Sequence, residues 1–136
     1  MDGDIHAITE TQRHALEEVG VVLLYAHGSV AEGAARDDSD VDIAALFERA
    51  PADSVKATSE IIAALHGFEK GREMDVAILN TASPLLAQRV ASRGALLYAR
   101  SPSDELGFRI RAMHEYESSR RIARIGRDAA LARANI

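Results

Sequence analysis

Apolar residues recur along this chain with two periods, one typical of strands and one typical of helices. The run from Val21 to Ala26 is continuously apolar, as in a strand that is covered on both faces. The pattern predicts strands over residues 21–26, 41–47, 74–79 and 95–99, and helices over about 10–18, 54–66, 84–92 and from 104 to near the end. Because strands and helices interleave, the predicted fold class is α/β.

Capping residues support the predicted helix starts. Thr9 can cap the first helix, with Gln12 three residues on as in a capping box. Either Asp53 or Ser54 can cap the second helix, and Ser83 followed by proline marks the start of the third. The first two strands are joined by a short loop rich in Gly and Asp, so we expect them to be antiparallel or only loosely coupled.

Apolar stripes predict which sides of two helices are buried. In the second helix the apolar positions fall mainly on one side, namely Val55, Ile61, Ile62 and Leu65. In the last helix Leu106, Ile110 and Met113 form one stripe, and we interpret Met113 and Tyr116 as packing residues.

Length and composition are those of one globular domain of 136 residues, with 47% hydrophobic and 27% charged residues. There are no cysteines, which excludes a structural disulfide and a thiolate zinc site and makes a cytoplasmic location the simplest expectation. The longest apolar run is far shorter than a membrane span, and the acidic N-terminus does not resemble a signal peptide.

Charge is unevenly distributed. The net charge of −5 argues against a generic nucleic-acid binder. Residues 1–105 carry 9 basic and 18 acidic side chains, a net of −9, whereas residues 106–136 carry 7 arginines and 3 acids, a net of +4. We therefore expect cation-dependent chemistry in the body and partner contact at the C-terminus.

The segment that carries chemistry begins at Gly28-Ser29 and ends at Asp40 and Asp42. Two carboxylates two residues apart at the start of a strand point to the same face and repel unless a cation lies between them. Oxygen ligands alone favour Mg²⁺ or Mn²⁺, which leave coordination positions for phosphates. Gly28 allows close backbone approach to a phosphate, and Ser29 offers a hydroxyl and an amide. Asp75, near the start of a later strand, can lie beside the first two and hold a second ion or activate a hydroxyl.

Other interpretations of these residues differ in strength. An EF-hand would need glycine at Ile43 and glutamate at Arg49, and a P-loop would need Lys-Ser/Thr where the chain has alanines, so both are excluded. An acidic turn between strands remains open for residues 37–40, as does a solvated strand-edge acid for Asp75. His27 either contacts the nucleotide or simply ends its strand.

Together these residues resemble the nucleotidyltransferase fold related to DNA polymerase β. The pattern is Gly28-Ser29, ten residues, Asp40-Val41-Asp42 and then Asp75, set between two apolar strands. A small domain ending in an arginine-bearing helix is similar to the minimal nucleotidyltransferase antitoxins that accompany HEPN-domain ribonuclease toxins. The resemblance implies a small mixed sheet flanked by helices, with residues 1–103 as the nucleotidyltransferase domain and 104–136 as a C-terminal arginine-rich helix packed on it.

The resemblance also implies an activity. The chain would use ATP and Mg²⁺ (or Mn²⁺) to transfer AMP to a tyrosine of a partner HEPN toxin and so neutralise it. Gly28 and Ser29 would bind the triphosphate, Asp40 and Asp42 would bind metal, and Asp75 would be the third catalytic and metal-binding carboxylate. The chain departs from many relatives at Glu32, where they carry a basic residue in the loop after Gly-Ser. An acid there weakens triphosphate binding unless it points away or pairs with a base.

The arginines of the last helix have two interpretations, a solvated helix face or a surface that docks an acidic partner. We assign partner contact to Arg109, Arg120 and Arg124. Two alternatives to toxin adenylylation remain open. The chain could neutralise its partner by binding alone, or it could modify the hydroxyl of a small molecule or an RNA.

Overall fold

The computed structural model describes residues 7–28 and 40–134. The elements are α1 (Glu10–Glu18), β1 (Val21–His27), β2 (Val41–Phe47), α2 (Ser54–Ala64), β3 (Met74–Ile78), a 3₁₀ turn (Leu79–Thr81), α3 (Pro84–Arg93), β4 (Ala95–Ala99) and α4 (Pro102–Ala134). The α/β class and the predicted order of elements are confirmed. The boundaries agree to within about two residues, as expected for helix and strand ends.

The four strands form one mixed sheet in the order β3-β2-β1-β4. β1 pairs antiparallel with both β2 and β4, whereas β3 pairs parallel with β2. Of the two arrangements expected for β1 and β2, the antiparallel one is therefore correct. The parallel pairing of β3 requires a crossover, and α2 provides it.

Capping side chains begin the helices where the sequence predicts. The Thr9 hydroxyl accepts from the Gln12 amide at 3.1 Å, and the Thr9 amide donates to the Gln12 side chain at 2.8 Å. The buried Gln12 side chain also donates to the carbonyl of His66 at 3.0 Å, which ties α1 to the end of α2. Asp53, not Ser54, caps α2 by accepting from the Lys56 amide at 3.0 Å.

Each face of the sheet has its own hydrophobic core. The face covered by α1 and α2 includes Val41 and Ile43, and the face covered by α3 and α4 includes Tyr25, Ala44 and Phe108. Residues of β1 from Val21 to Ala26 are all buried, as predicted for a strand covered on both sides.

The predicted apolar stripe of α2 is only half correct. Ile61 and Leu65 are buried, but Val55 is 76% exposed and Ile62 is 41% exposed. At about 100° of rotation per residue, Ile62 lies about a quarter-turn round the helix from Ile61, and Val55, seven residues before Ile62, lies on the same side as Ile62. Only the two residues that face the sheet are therefore covered.

The predicted stripe of α4 does not face the sheet. Leu106, Ile110 and Met113 are 61%, 49% and 62% exposed, so Met113 is not a core residue of the monomer. The helix instead packs on α3 and β1 through Phe108 and Ala112. Phe108 and Ala112 fill the contact between α4 and the sheet. The packing of α4 therefore does not use the apolar stripe.

An arginine-centred cluster fastens the start of α4. The Arg100 guanidinium donates to both carboxylate oxygens of Asp104, at 2.8 and 3.0 Å, and lies 3.2 Å from Glu48 at the end of β2. These hydrogen bonds, with one from the Ser101 hydroxyl at 2.9 Å, hold the pKa of Asp104 below its usual range. No helix in the described part of the chain is both long and apolar enough to span a membrane.

Candidate active site

The predicted carboxylates meet on neighbouring strands. Asp42 is the register partner of Asp75 on β3 and of His27 on β1. Register partners on adjacent strands point to the same face of a sheet, so these three side chains form a row across three strands. Asp40 directly precedes β2, two residues before Asp42.

The row lies on the face of the sheet that α3 and α4 cover. Alternate residues of β2 show this, because Val41 and Ile43 belong to the core against α1 and α2, whereas Ala44 belongs to the opposite core. Asp42 lies two residues from Ala44 on β2 and so points to the same face. Its side chain is half-buried, whereas Asp40 and Asp75 are exposed. Two of the three carboxylates are thus accessible to solvent.

Gly28 follows β1 in a conformation that suits glycine. Its φ is +74°, which L-residues with a Cβ rarely adopt. A Cβ at this position would also stand 2.5 Å from Oδ2 of Asp42. The carboxylate of Asp42 therefore packs directly against the backbone of Gly28, in the space that a side chain at position 28 would need.

The loop between Gly28 and Asp40 contains the rest of the predicted triphosphate site. Ser29 and Glu32 lie outside the described residues. Their roles remain those predicted from the sequence.

The donor chemistry of the row fits a hard cation. Within residues 7–28 and 40–134, none of Asp40, Asp42 and Asp75 forms an ion pair with Lys, Arg or His. Three carboxylates near one end of a sheet with no described cationic partner favour an added cation, and oxygen donors without Cys favour Mg²⁺ or Mn²⁺. No three acidic or histidine side chains in the same described ranges come close enough to form a ready-made metal cluster. Binding would therefore require the side chains to turn toward a common point.

Tyr25 lies on the same face as the row, two residues before His27. Its ring contacts Phe108 of α4 with a centroid distance of 5.7 Å, and Gly94 has no Cβ at the place where one would approach the ring to 3.2 Å. The pKa of Tyr25 is raised to about 12, mainly by burial and in smaller part by Glu105, with Arg109 opposing. This residue, which sequence reasoning read only as part of a strand, joins α4 to the strand that leads into the site.

The family is decided by a match over most of the chain. A family model described as "Polymerase beta, Nucleotidyltransferase" matches residues 9–103. The chain belongs to this nucleotidyltransferase family. The matched range contains Gly28, both members of the Asp40/Asp42 pair, and Asp75.

Solved structures share the fold of this nucleotidyltransferase domain. A chain of a toxin–antitoxin complex crystallised with AMP-PNP superposes with a TM-score of 0.65 at 21% identity, covering 87% of this chain and 94% of that one. A chain from the complex of a tri-AMPylated Shewanella oneidensis HEPN toxin with an MNT antitoxin gives 0.59 at 19% identity, covering 88% and 96%. A chain of the MntA–HepT toxin–antitoxin complex gives 0.59 at 17% identity, covering 90% and 99%. No curated protein shows significant sequence similarity to the chain.

The arginines predicted to contact a partner are spread along α4. Arg109 is 3.9 Å from Glu105 in the half that packs on the body, whereas Arg120 is 3.9 Å from Glu117 and stacks over Tyr116 at 5.7 Å. Arg124 is exposed and forms no ion pair with a described residue. The three side chains therefore belong to two different parts of the helix.

Proposed function

We propose that this chain is an antitoxin that transfers AMP from ATP to a tyrosine hydroxyl of a partner HEPN-domain ribonuclease toxin. The observation that carries the proposal is the alignment of Asp42 with Asp75 in the β2–β3 register, with Gly28 against the Asp42 carboxylate. Phosphoryl and nucleotidyl transfer depend mainly on positioned donors and on charge neutralisation at the phosphates. A glycine turn beside aligned carboxylates provides the geometry for both.

The proposed roles follow the position of each residue. Gly28 and Ser29 bind the triphosphate, and Asp40 and Asp42 bind Mg²⁺ or Mn²⁺, which neutralises phosphate charge when bound. Asp75 completes the metal-binding set and accepts the proton of the tyrosine hydroxyl. The tyrosine oxygen forms a bond to the α-phosphorus, the bond from that phosphorus to the bridging oxygen breaks, and pyrophosphate leaves.

The similar solved structures support the choice of nucleotide and partner. One toxin–antitoxin complex was crystallised with AMP-PNP, and another contains a tri-AMPylated HEPN toxin with its MNT antitoxin. The family of this chain and a shared fold make the same nucleotide and class of partner the natural assignment here. We further propose that Arg109, Arg120 and Arg124 contribute to the contact with the toxin, and that the pair acts in the cytoplasm.

The test is transfer of label from [α-³²P]ATP to a purified HEPN-domain toxin offered as the proposed partner, with Mg²⁺ present. Asp42→Asn should lower the labelling rate at least about a hundredfold, because a displaced or missing charge stabiliser at the reacting phosphate costs that much. Glu18→Gln, an exposed acid on α1, is the matched control and should label like the wild type. Full labelling by Asp42→Asn would exclude the catalytic assignment.

Neutralisation by binding alone is the second candidate, favoured by Glu32 in the loop that would hold the triphosphate. In that case Asp42→Asn protein would still silence the toxin, and no AMP would be found on it by mass spectrometry. Transfer to a small molecule or RNA would instead give label in the low-mass or nucleic-acid fraction.

A further inference from the structure

The C-terminal half of α4 projects from the body of the protein. The helix has 33 residues and is therefore about 50 Å long. Its buried residues, Phe108 and Ala112, both lie in the first half. Every residue from 117 to 134 is exposed, and we call this segment of about 27 Å the C-terminal arm.

The arm has two chemically different sides. At about 100° per residue, Ile122, Ile125 and Ala129 follow an i, i+3, i+7 spacing and share one side. Arg120, Arg124 and Arg127 follow an i, i+4, i+7 spacing and lie on the opposite side. The separation holds for residues 120–129; beyond them Leu131 lies on the arginine side and Arg133 on the isoleucine side.

The apolar side has no cover within the described chain. Ile122 is 70% exposed and Ile125 is 61% exposed. The arm continues a helix whose first half is packed, but it has no packing of its own within the described chain, and Gly126 in its centre weakens it. An amphipathic helix of this kind gains stability by packing its apolar side against another surface.

The charge of the arm indicates the chemistry of that surface. The arm contains five arginines and two acids, a net of +3. Arg121, Arg124 and Arg127 form no ion pair with any described residue. Uncompensated arginines beside an apolar stripe fit a protein groove with an apolar floor and acidic borders.

We infer that the C-terminal arm is a docking helix that inserts Ile122 and Ile125 into an apolar, acid-bordered groove of the partner toxin. The inference rests on the proposed function for the identity of the partner, and the mode is that of an amphipathic helix in a groove. A nucleic acid fits less well, because phosphates do not cover isoleucines and the whole chain is net negative. The carboxylates of the candidate site lie on other elements, so affinity and transfer are carried by separate parts of the chain.

The experiment measures Kd of the full chain for the same purified HEPN-domain toxin, by titration calorimetry. Truncating an interface anchor typically costs about tenfold in Kd, so Ile122→Ser with Ile125→Ser should weaken binding about a hundredfold. The matched control changes Ile62 of α2 and Leu85 of α3, which are 41% and 48% exposed and lie outside α4, to serine. The control should bind the toxin like the wild type.

ATP binding to the chain alone separates this inference from the proposed function. Both double variants should bind ATP like the wild type, because neither touches the sheet. Loss of toxin affinity with intact ATP binding supports the docking helix. Absence of ATP binding in the wild type would instead contradict the proposed function. The comparison of toxin affinities would still test the docking helix.

Hydrogen exchange supplies an independent readout. Amides of residues 117–134 should exchange rapidly in the free chain and be protected at least about tenfold in the complex, because only the partner covers the arm. Unchanged affinity of the isoleucine variant would overturn the inference. Protection of the arm together with dimerisation of the free chain would also overturn it, because a second copy would then cover the arm. Salt-sensitive RNA binding that is lost in Arg124→Glu with Arg127→Glu would overturn it as well.

Discussion

Replacing Gly28 with alanine perturbs the candidate site at one defined point. The new Cβ would stand 2.5 Å from Oδ2 of Asp42, whereas carbon and oxygen atoms pack at about 3.3 Å or more. The Asp42 carboxylate must therefore move by about 1 Å. Since a misplacement of about 1 Å at a reacting centre costs about a hundredfold in rate, Gly28→Ala should lower AMP transfer by about that factor.

The same substitution also strains the backbone. With φ at +74°, alanine costs about 1–2 kcal/mol of stability relative to glycine. Gly20 separates this strain from the clash, because its φ is +87° and no atom lies within 4 Å of its would-be Cβ. Gly20→Ala should therefore lose a similar free energy of unfolding and keep full transfer activity.

Urea unfolding and the [α-³²P]ATP assay, run on both variants, test this reasoning. The expected pattern is two similar losses of stability and one selective loss of activity, in Gly28→Ala. Near-wild-type transfer by Gly28→Ala would refute the requirement for the glycine beside Asp42. An equal loss of activity in Gly20→Ala would show that strain, and not the displaced carboxylate, is responsible.

Three further predictions concern stability. The Asn80 side chain donates to the carbonyl of Phe47 and accepts from its amide, both at 2.9 Å. Asn80→Ala should therefore lower the free energy of unfolding by about 1–3 kcal/mol. An unchanged urea midpoint would contradict this. Because the folded pKa of Asp104 is lowered by Arg100, its stabilisation is present above about pH 4 and lost as pH falls through the folded pKa, and an Asp104→Asn variant should unfold with a shallower acid dependence. Burial raises the pKa of Tyr25 from 10 to about 12, so stability is intact below about pH 10 and falls by up to about 2–3 kcal/mol by pH 12, a loss that should be absent in Tyr25→Phe.

Tyr25→Phe has a second expected effect at neutral pH. The Tyr25 hydroxyl is buried and has no hydrogen-bond partner in the part of the chain that the structure describes. Removing an unsatisfied buried hydroxyl relieves its desolvation cost, so the variant should be as stable as the wild type or more stable by up to about 1–2 kcal/mol. A clear loss of stability in urea unfolding would mean that the hydroxyl is hydrogen-bonded in solution.

Local signals made the elements predictable. The Thr9/Gln12 capping box, the Ser83-Pro84 start and the apolar run after Gly20 each act over a few residues, and all three appear in the structure where the sequence places them. The choice between Asp53 and Ser54 as the cap of α2 was open because both side chains can accept the same hydrogen bond. It was decided by where the helix begins: Asp53 is still extended, with φ −121° and ψ 103°, whereas Ser54 is the first helical residue.

Burial of the helices was less predictable than their position. A helix with apolar residues on more than one side offers several faces to the sheet, and its own sequence does not rank them. In α4, Phe108 and Ala112 face the sheet while Leu106, Ile110 and Met113 remain exposed. The packing surface of the sheet selects the side, and that surface is built from distant strands.

The sequence by itself determined the α/β class, the four strands and the four helices, and its Gly28, Asp40, Asp42 pattern predicted a nucleotidyltransferase. Only the tertiary structure decided that Asp75 stands opposite Asp42, that the Asp42 carboxylate rests against Gly28, and that half of α4 extends free of the body. The reason is the range of the interactions. Caps, turns and periodicity act within a few residues, whereas strand register and helix docking depend on partners tens of residues away, which no local pattern encodes.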